Sequence, residues 1–223
     1  GGPVEKYNAA AGFSIITYTG DGSSDGDTQD LTHTLGAEPE FIITKARNSA
    51  GYSYDGGWNV YHKDTVLGTN YENSGHPLLW LNQPYESYDP EYSIALPKSG
   101  SENTTITVNL NGNYGHSAND SGTNYVMYAW ASVENFSKFG KVVANGNSSD
   151  GVFCYLGFRP AAVIMKNTTN TSQYHWRMWD SARGSHNVND EVLYPSLNYI
   201  ETTSDGHVDF LSNGFKLRSS AGN

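Results

Sequence analysis

Short runs of apolar residues, separated by segments rich in Gly, Asn, Ser and Asp, make up most of the chain. Residues 104–110 (TTITVNL) alternate between polar and apolar side chains, which is typical of a strand with one buried face. Residues 41–44 and 125–133 are apolar on both faces, as expected of strands that are covered on two sides. The pattern predicts strands at residues 13–18, 29–35, 41–44, 58–61, 78–81, 92–96, 104–110 and 125–133, and again at 152–156, 192–194, 208–211 and 214–217.

The order of these segments returns in the second half of the chain. The order is kept and only the loops change length, which indicates a duplicated unit. Such a duplication favours a scaffold or binding protein, because an enzyme usually has one asymmetric site. The matched segments are residues 13–20 and 139–146 (126 apart), 35–45 and 156–166 (121 apart), and 58–61 and 176–179 (118 apart).

The duplication predicts an all-β fold of two tandem antiparallel β-sandwich units with a jelly-roll-like arrangement. We expect a lead-in segment over residues 1–11, a first unit over 12–135 and a second unit over 136–223. Residues 125–133 have no counterpart in the second unit, so this unit is expected to lack its last strand. We therefore expect either that the polypeptide continues or that another chain supplies a strand by β-augmentation.

Composition and charge argue against several classes of partner and site. The formal net charge is −10, and phosphate recognition needs clusters of Lys and Arg, so nucleic acid is not expected as a partner. No apolar run approaches 20 residues, so no membrane insertion is predicted. Cys154 is the single cysteine, which excludes an intramolecular disulfide and cysteine-based metal centres within one chain. We interpret it as a buried and inert thiol.

An acidic loop is the one weak candidate for a metal site. Asp21, Asp25 and Asp27 lie in a Gly-rich segment, and oxygen-rich loops of this kind can bind Ca²⁺. Their spacing does not match an EF-hand, and the second unit keeps only the Ser-Ser-Asp-Gly part, so turn geometry is the favoured interpretation. The seven histidines show no ligand spacing for a metal, and we predict no other metal and no cofactor.

Catalysis has little support in the sequence. Glu86, Asp89 and Glu91 could form a pair of carboxylates for glycoside hydrolysis within a Tyr-rich segment. This segment has no clear match in the second unit and is interpreted first as a surface loop. No nucleophile elbow or catalytic triad can be identified, so we assign no catalytic residues and do not expect an enzyme.

Aromatic residues in loops are the better candidates for ligand binding. Aromatic faces bind both the C–H surfaces of sugars and protein partners. Many aromatic residues alternate within predicted strands and belong to cores. Those in Gly-, Ser- and Asp-rich loops are expected to be exposed, and they are Tyr52, Tyr54, Tyr85 and Tyr88.

Seven segments of the chain form a set that is found together in a known family, at residues 12–22, 35–45, 58–63, 125–139, 157–160, 180–183 and 209–218. Together they resemble a family of bacteriophage virion domains found in marine and cyanobacterial tailed phages. Members of that family are described as tail fibre or structural proteins, sometimes beside laminin-G-like lectin domains. The resemblance covers nearly the whole chain and implies a further strand after residues 215–218, but it implies no catalytic residues.

The resemblance implies a structural protein on the surface of a virion, in a tail fibre or a capsid or tail decoration. We expect other virion proteins as partners, a homo-oligomer for which a trimer is a common fibre form, and contact with host-surface glycans. Two alternatives stay open. One is a glycan depolymerase of the tailspike kind, and the other is a secreted, lectin-like bacterial adhesin.

Overall fold

A computed structural model describes residues 2–48, 57–65, 78–84, 95–98, 104–110, 117–147, 150–168, 174–204 and 206–218. Within them the protein is all-β, with several antiparallel sheets of which none closes on itself, as the apolar pattern predicts. The described helical structure is a 3₁₀ turn at Ala9–Ala11, and no helix of these residues is long and apolar enough to cross a membrane. The strands are β1 (Val4–Asn8), β2 (Phe13–Thr19), β3 (Thr28–Thr32), β4 (Phe41–Ala46), β5 (Asn59–His62), β6 (Leu79–Trp80), β7 (Ala95–Pro97), β8 (Thr105–Asn109), β9 (Asn124–Trp130), β10 (Phe153–Tyr155), β11 (Ala162–Met165), β12 (Arg177–Asp180), β13 (Val208–Leu211) and β14 (Gly214–Leu217).

The first half of the chain contains two antiparallel sheets that share the larger buried core. A six-stranded sheet has the order β1-β2-β9-β4-β5-β6, and a three-stranded sheet has the order β3-β8-β7. Side chains from both sheets meet in one buried cluster, because alternate residues of each strand point to the same face. Its members are Ile16, Tyr18, Leu31, Leu35, Ile42, Leu78, Trp80, Ala95, Ile106, Val108, Ala118, Tyr125, Met127 and Ala129.

Strand β9 is the centre of the six-stranded sheet. It pairs along one edge with β2 and along the other with β4, in both cases antiparallel. Its inward residues Tyr125, Met127 and Ala129 are buried in the core, while Tyr128 and Trp130 lie on the outer face. Contacts on both edges and both faces explain why residues 125–131 are apolar throughout.

The second half of the chain builds a smaller core from shorter strands. A three-stranded sheet has the order β10-β14-β13, and β11 pairs with β12 as a two-stranded sheet. The two sheets share a buried cluster of Val163, Trp179, Val192, Val208, Phe210, Phe215 and Leu217.

Pairing registers agree with the spacing of the matched segments. Ile42 of β4 lies opposite Tyr61 of β5, and Val163 of β11 lies opposite Trp179 of β12. The first residues of these pairs are 121 apart and the second residues are 118 apart, as in the sequence comparison. Likewise, the pair of β5 and β6 that joins Val60 to Leu79 corresponds to a bridge between Met178 and Leu193.

One pair of matched segments differs in structure. Residues 13–20 contain strand β2, whereas residues 139–147 form no strand, and the Val143 side chain is 80% exposed. The physical reason lies in the neighbours, because β2 is held between β1 and β9. Residues 139–147 pair with no strand in the part of the chain that the structure describes.

The two halves are in direct contact. Trp176, which precedes β12, is buried against Ile43, Val60 and Leu79 on the outer face of the six-stranded sheet. Its indole Nε1 donates a hydrogen bond of 2.7 Å to the Trp80 carbonyl. The Phe139 ring adds a second contact, since it stacks on Phe41 with 5.5 Å between the ring centroids.

Candidate ligand-binding hollow

A shallow, open hollow of about 500 Å³ lies on the loop between Val192 and Thr202, which follows β12 in the chain. Two tyrosines form its aromatic part, with ring centroids 6.3 Å apart and an interplanar angle of 77°. The Tyr199 side chain is 66% exposed and Ile200 is 89% exposed, so the outer wall faces solvent. The lining residues are Tyr194, Asn198, Tyr199, Ile200 and Thr202.

The base of this loop is closed by backbone hydrogen bonds. The Val192 N–H donates to the Thr202 carbonyl at 2.9 Å, and the Thr202 N–H donates back at 3.2 Å. Val192 is fully buried in the smaller core, so the loop starts and ends on a packed support. Within the loop, the Leu197 N–H donates to the Tyr194 carbonyl at 3.0 Å and forms a turn. The hollow is therefore preorganised, which lowers the entropic cost of binding.

Two ion pairs made by Arg183 hold the C-terminal end of the loop against β12. The Arg183 guanidinium lies 2.7 Å from Asp180 through Nε and 2.7 Å from Glu201 through Nη1. The Arg183 backbone N–H and guanidinium both donate to Asp180, and these hydrogen bonds lower the pKa of that carboxyl. Because Asp180 ends β12 and Glu201 precedes Thr202, Arg183 ties the loop to the sheet.

His175 supports the floor of the hollow. Its ring meets Tyr194 edge-on at 6.4 Å between centroids, and its Nδ1 lies 3.1 Å from the Ser196 hydroxyl oxygen. Burial lowers the pKa of His175, and the nearby charges of Lys166 and Arg177 lower it further. The imidazole is therefore neutral at pH 7, which suits a hydrogen bond with a serine hydroxyl.

The chemistry of the lining favours a polyhydroxylated ligand. Tyrosine rings offer apolar faces, while the Asn198 amide and the Thr202 hydroxyl offer hydrogen-bond donors and acceptors. This mixture of an aromatic surface with a few polar groups is what small-molecule sites present. None of the five lining residues carries a carboxyl group, so the hollow itself contains no pair of acids for glycoside hydrolysis.

The acidic loop is organised as a turn. The Asp27 carboxylate accepts hydrogen bonds from the backbone N–H groups of Ser23 at 2.8 Å and Ser24 at 2.9 Å, and these lower the pKa of Asp27. The buried Asn119 amide joins the two ends of the turn, since it accepts from the Asp21 N–H at 3.1 Å and donates to the Asp27 carbonyl at 3.3 Å. Across the described ranges, no group of three or more His, Cys, Asp or Glu residues could hold a metal ion.

Cys154 has no sign of activation. The side chain is half-buried beside the smaller core, and burial raises the pKa of its thiol. A raised pKa disfavours the thiolate at neutral pH, and the thiolate is the reactive form.

The aromatic residues selected from the sequence fall outside the described residues: Tyr52, Tyr54, Tyr85 and Tyr88. The alternative carboxylates Glu86, Asp89 and Glu91 fall outside them as well. Sequence reasoning missed the tyrosines of the hollow, although the same signal was present. The segment at residues 194–200 (YPSLNYI) places two tyrosines in a loop with Pro and Asn, as in the selected loops.

A family model described as "Domain of unknown function (DUF7483)" matches residues 4–223. No curated protein and no solved structure matches the chain.

Proposed function

The chain belongs to the DUF7483 family, and we propose that it is a duplicated β-sandwich scaffold of a bacteriophage virion that presents a carbohydrate-binding hollow. The observation that carries the binding role is the hollow between Tyr194 and Tyr199, which rests on a loop fixed at both ends. The scaffold role is supported by the registers of β4 with β5 and of β11 with β12, which pair matched positions of the two halves.

The placement in a virion rests on the resemblance of the sequence to phage structural domains. Within that setting the protein belongs to a tail fibre or a decoration, assembles with other virion proteins and copies of itself, and contacts glycans of the host surface. Several copies on one particle turn a weak site into strong attachment, because each further contact is intramolecular.

Binding is favoured over hydrolysis by the lining of the hollow. Hydrolysis of a glycosidic bond needs two carboxyl groups across the scissile bond, and the lining has aromatic, amide, hydroxyl and aliphatic side chains instead. The same lining suits recognition, because a sugar can stack on Tyr199 while its hydroxyls bond to Asn198 and Thr202.

A binding experiment tests the role of the hollow. Purified wild-type protein is screened against an array of bacterial surface glycans, and the affinity for the best ligand is measured by calorimetry. We expect Tyr199→Ala to weaken binding about tenfold, which corresponds to about 1.4 kcal/mol. Tyr7→Ala is the matched control, since Tyr7 is an exposed tyrosine on the edge strand β1. Equal affinities of the two variants would contradict the assignment.

The virion placement is tested separately. Mass spectrometry of purified particles of a phage that encodes this chain should detect its peptides in stoichiometric amount. Their absence from intact particles, together with their presence in the lysate, would refute the virion role and leave the hollow as the site of a secreted adhesin.

A further inference from the structure

We propose that the peptide bond between Lys141 and Val142 is a cleavage site for proteases of trypsin-like specificity, and that the cleaved protein stays together as two chains. The bond lies at the join between the two halves of the molecule, so cleavage is a modification that divides one from the other. The proposal depends neither on a ligand in the hollow nor on a place in a virion.

The segment at residues 139–147 presents this bond to solvent. It follows β9 and precedes β10, and it runs without a strand, a turn or a bend. Residues 140–147 are exposed except for the half-buried Val142, and Val143 is 80% exposed. A protease binds its substrate as an extended strand in its own cleft, so this segment can enter the cleft without local unfolding. Exposed connections of this kind are preferred sites of cleavage in folded proteins.

Both ends of the segment are fixed to the folded protein. At the N-terminal end the Phe139 ring stacks on Phe41 with 5.5 Å between the centroids, and the Phe139 N–H donates to the Ser132 hydroxyl at 3.2 Å. At the C-terminal end the Asn145 side-chain amide donates to the Asp150 carbonyl at 2.9 Å. The span between these two anchors is therefore held in place, which lowers the entropic cost of binding to a protease.

Lys141 gives the segment the side chain that a trypsin-like protease recognises. Such a protease holds the cleaved residue in a pocket with an acidic group at its base, which selects Lys or Arg. Lys141 is exposed, and among the described residues it takes part in no ion pair. The matched position in the first half is Ile15, which lies in β2 between β1 and β9. The second half alone therefore offers this bond to a protease.

The chain has 13 Lys and Arg residues, and those other than Lys141 are held more firmly. Four lie in strands, where the backbone is paired with a neighbour, and they are Lys6, Lys45, Arg177 and Lys216. Four outside the strands form ion pairs, and they are Lys63, Lys98, Arg183 and Arg218. Three donate to backbone carbonyls through their side chains, and they are Lys138, Arg159 and Lys166. The Arg47 N–H donates to the Asn124 carbonyl at 2.7 Å. Cleavage at these positions needs a local opening first, so Lys141 should be cut before them.

Cleavage at this bond leaves both cores whole. Water is consumed as the C–N bond between the Lys141 carbonyl carbon and the Val142 nitrogen breaks, which produces a carboxylate on Lys141 and an amino group on Val142. Every strand pair that the structure describes joins strands on the same side of the cut, β1 to β9 on one side and β10 to β14 on the other. The larger and the smaller buried clusters also lie on opposite sides of the cut.

The contact between the halves replaces the lost covalent link. Trp176 is buried on the outer face of the six-stranded sheet, and its indole donates to the Trp80 carbonyl at 2.7 Å. On the other side of the cut, the Lys138 ammonium donates to the Tyr155 carbonyl at 3.1 Å. A buried aromatic anchor of this kind supplies much of the binding energy of an interface. The two chains should therefore remain associated after cleavage.

Limited digestion with trypsin tests the site. The full chain is incubated with a small amount of trypsin under native conditions, and mass spectrometry of the intact products follows the reaction with time. We expect the first cut to give one fragment that ends at Lys141 and one that begins at Val142. Both fragments should elute together in size-exclusion chromatography, at the volume of the uncut protein.

Two variants locate the cut. Lys141→Gln removes the side chain that fills the protease pocket, so the intact chain should disappear about tenfold more slowly, or slower still. Val142→Pro keeps the lysine but constrains the backbone at the cleaved bond, and it should protect the chain to a similar extent. Lys6→Gln is the matched control, because Lys6 is an exposed lysine within a strand, and this variant should be cut at the wild-type rate.

Three results would overturn the proposal. They are a first cut after a different Lys or Arg, loss of the intact Lys141→Gln chain at the wild-type rate, and separation of the two fragments in chromatography. The glycan and virion measurements use different readouts, so a failure of the proposed function leaves this test unchanged.

Discussion

The two halves of the molecule differ most at one strand. In the first half, β9 joins β2 to β4 and makes a six-stranded sheet. In the second half, β11 and β12 repeat the register of β4 and β5, but residues 139–147 stay outside any sheet. The comparison shows that the propensity of a segment is not enough to make it a strand. A segment becomes a strand when a neighbour satisfies its backbone groups and covers its apolar face.

The largest expected loss of stability tests whether the two cores unfold independently of each other. Trp179 is the largest fully buried side chain and lies in the smaller core. Trp179→Ala should lower the free energy of unfolding by about 3–5 kcal/mol, because it removes a large apolar side chain and leaves a cavity. Urea denaturation measures the loss, and amide exchange shows which half opens.

Ile106→Ala is the counterpart in the larger core, where Ile106 is fully buried. It should cost about 2–5 kcal/mol and reduce exchange protection in the first half. If each variant lowered protection equally in both halves, the molecule would unfold as a single cooperative unit. The division into two cores would then have no energetic meaning.

A smaller loss of stability tests the contact between the two halves. Trp176→Phe keeps an aromatic ring against Ile43 and removes the hydrogen bond to the Trp80 carbonyl. The loss should be about 1 kcal/mol, the usual net value of one hydrogen bond. It is limited because the Gln83 N–H also donates to that carbonyl, at 3.4 Å.

Trp58→Phe is the matched control for this measurement, since Trp58 precedes β5 as Trp176 precedes β12. Thermal unfolding of both variants gives the comparison. If Trp58→Phe lowers the melting temperature as much as Trp176→Phe does, the hydrogen bond between the halves makes no contribution of its own to stability.

The smallest expected effect is a loss of stability at acidic pH. Asp30 is paired with Lys98 in the first half, and Asp150 is paired with Lys216 in the second. A hydrogen bond from the lysine lowers the pKa of each carboxyl below its ordinary value of 3.8. Stability from these pairs is therefore complete above that value and is lost as the pH falls through it toward the folded-state pKa.

Asp30→Asn and Asp150→Asn should each flatten the fall in melting temperature between about pH 5 and pH 3 by a small amount, because exposed pairs contribute little. The melting temperature is recorded by circular dichroism at several pH values. A steeper fall in either variant than in wild type would contradict the stated direction of the pKa change.

Much of the fold could be predicted from the local pattern of apolar and polar residues. The alternation at residues 104–110 predicted β8, with Ile106 and Val108 buried, and the apolar run at residues 125–133 predicted the central strand β9. The register of β11 with β12 agrees with the spacing of the matched segments, although the sequence analysis predicted no pairing of these strands. These predictions succeeded because a strand repeats its side-chain direction every two residues, so the pattern of the sequence reports the face that is buried.

The candidate site was predicted less well. The selected tyrosines lie outside the described residues, so their selection stays a prediction, while the hollow is lined by Tyr194 and Tyr199. Their closeness depends on the bridge between Val192 and Thr202 and on the ion pair of Arg183 with Glu201. These pairings join residues 10 and 18 positions apart along the chain, which is beyond the reach of a periodic pattern within one strand.

By itself the sequence determined the β class, the buried faces of the strands and the order of the matched segments, because these depend on side-chain polarity at short range. The tertiary structure alone decided that residues 13–19 form a strand while residues 139–147 do not, and that Ile43 is covered while Ile164 is exposed. The first outcome depends on whether a strand lies alongside, and the second depends on whether another side chain covers the face of the sheet, as Trp176 covers Ile43. Backbone hydrogen bonds between strands join distant parts of a chain, so the sequence of one segment cannot reveal its neighbour.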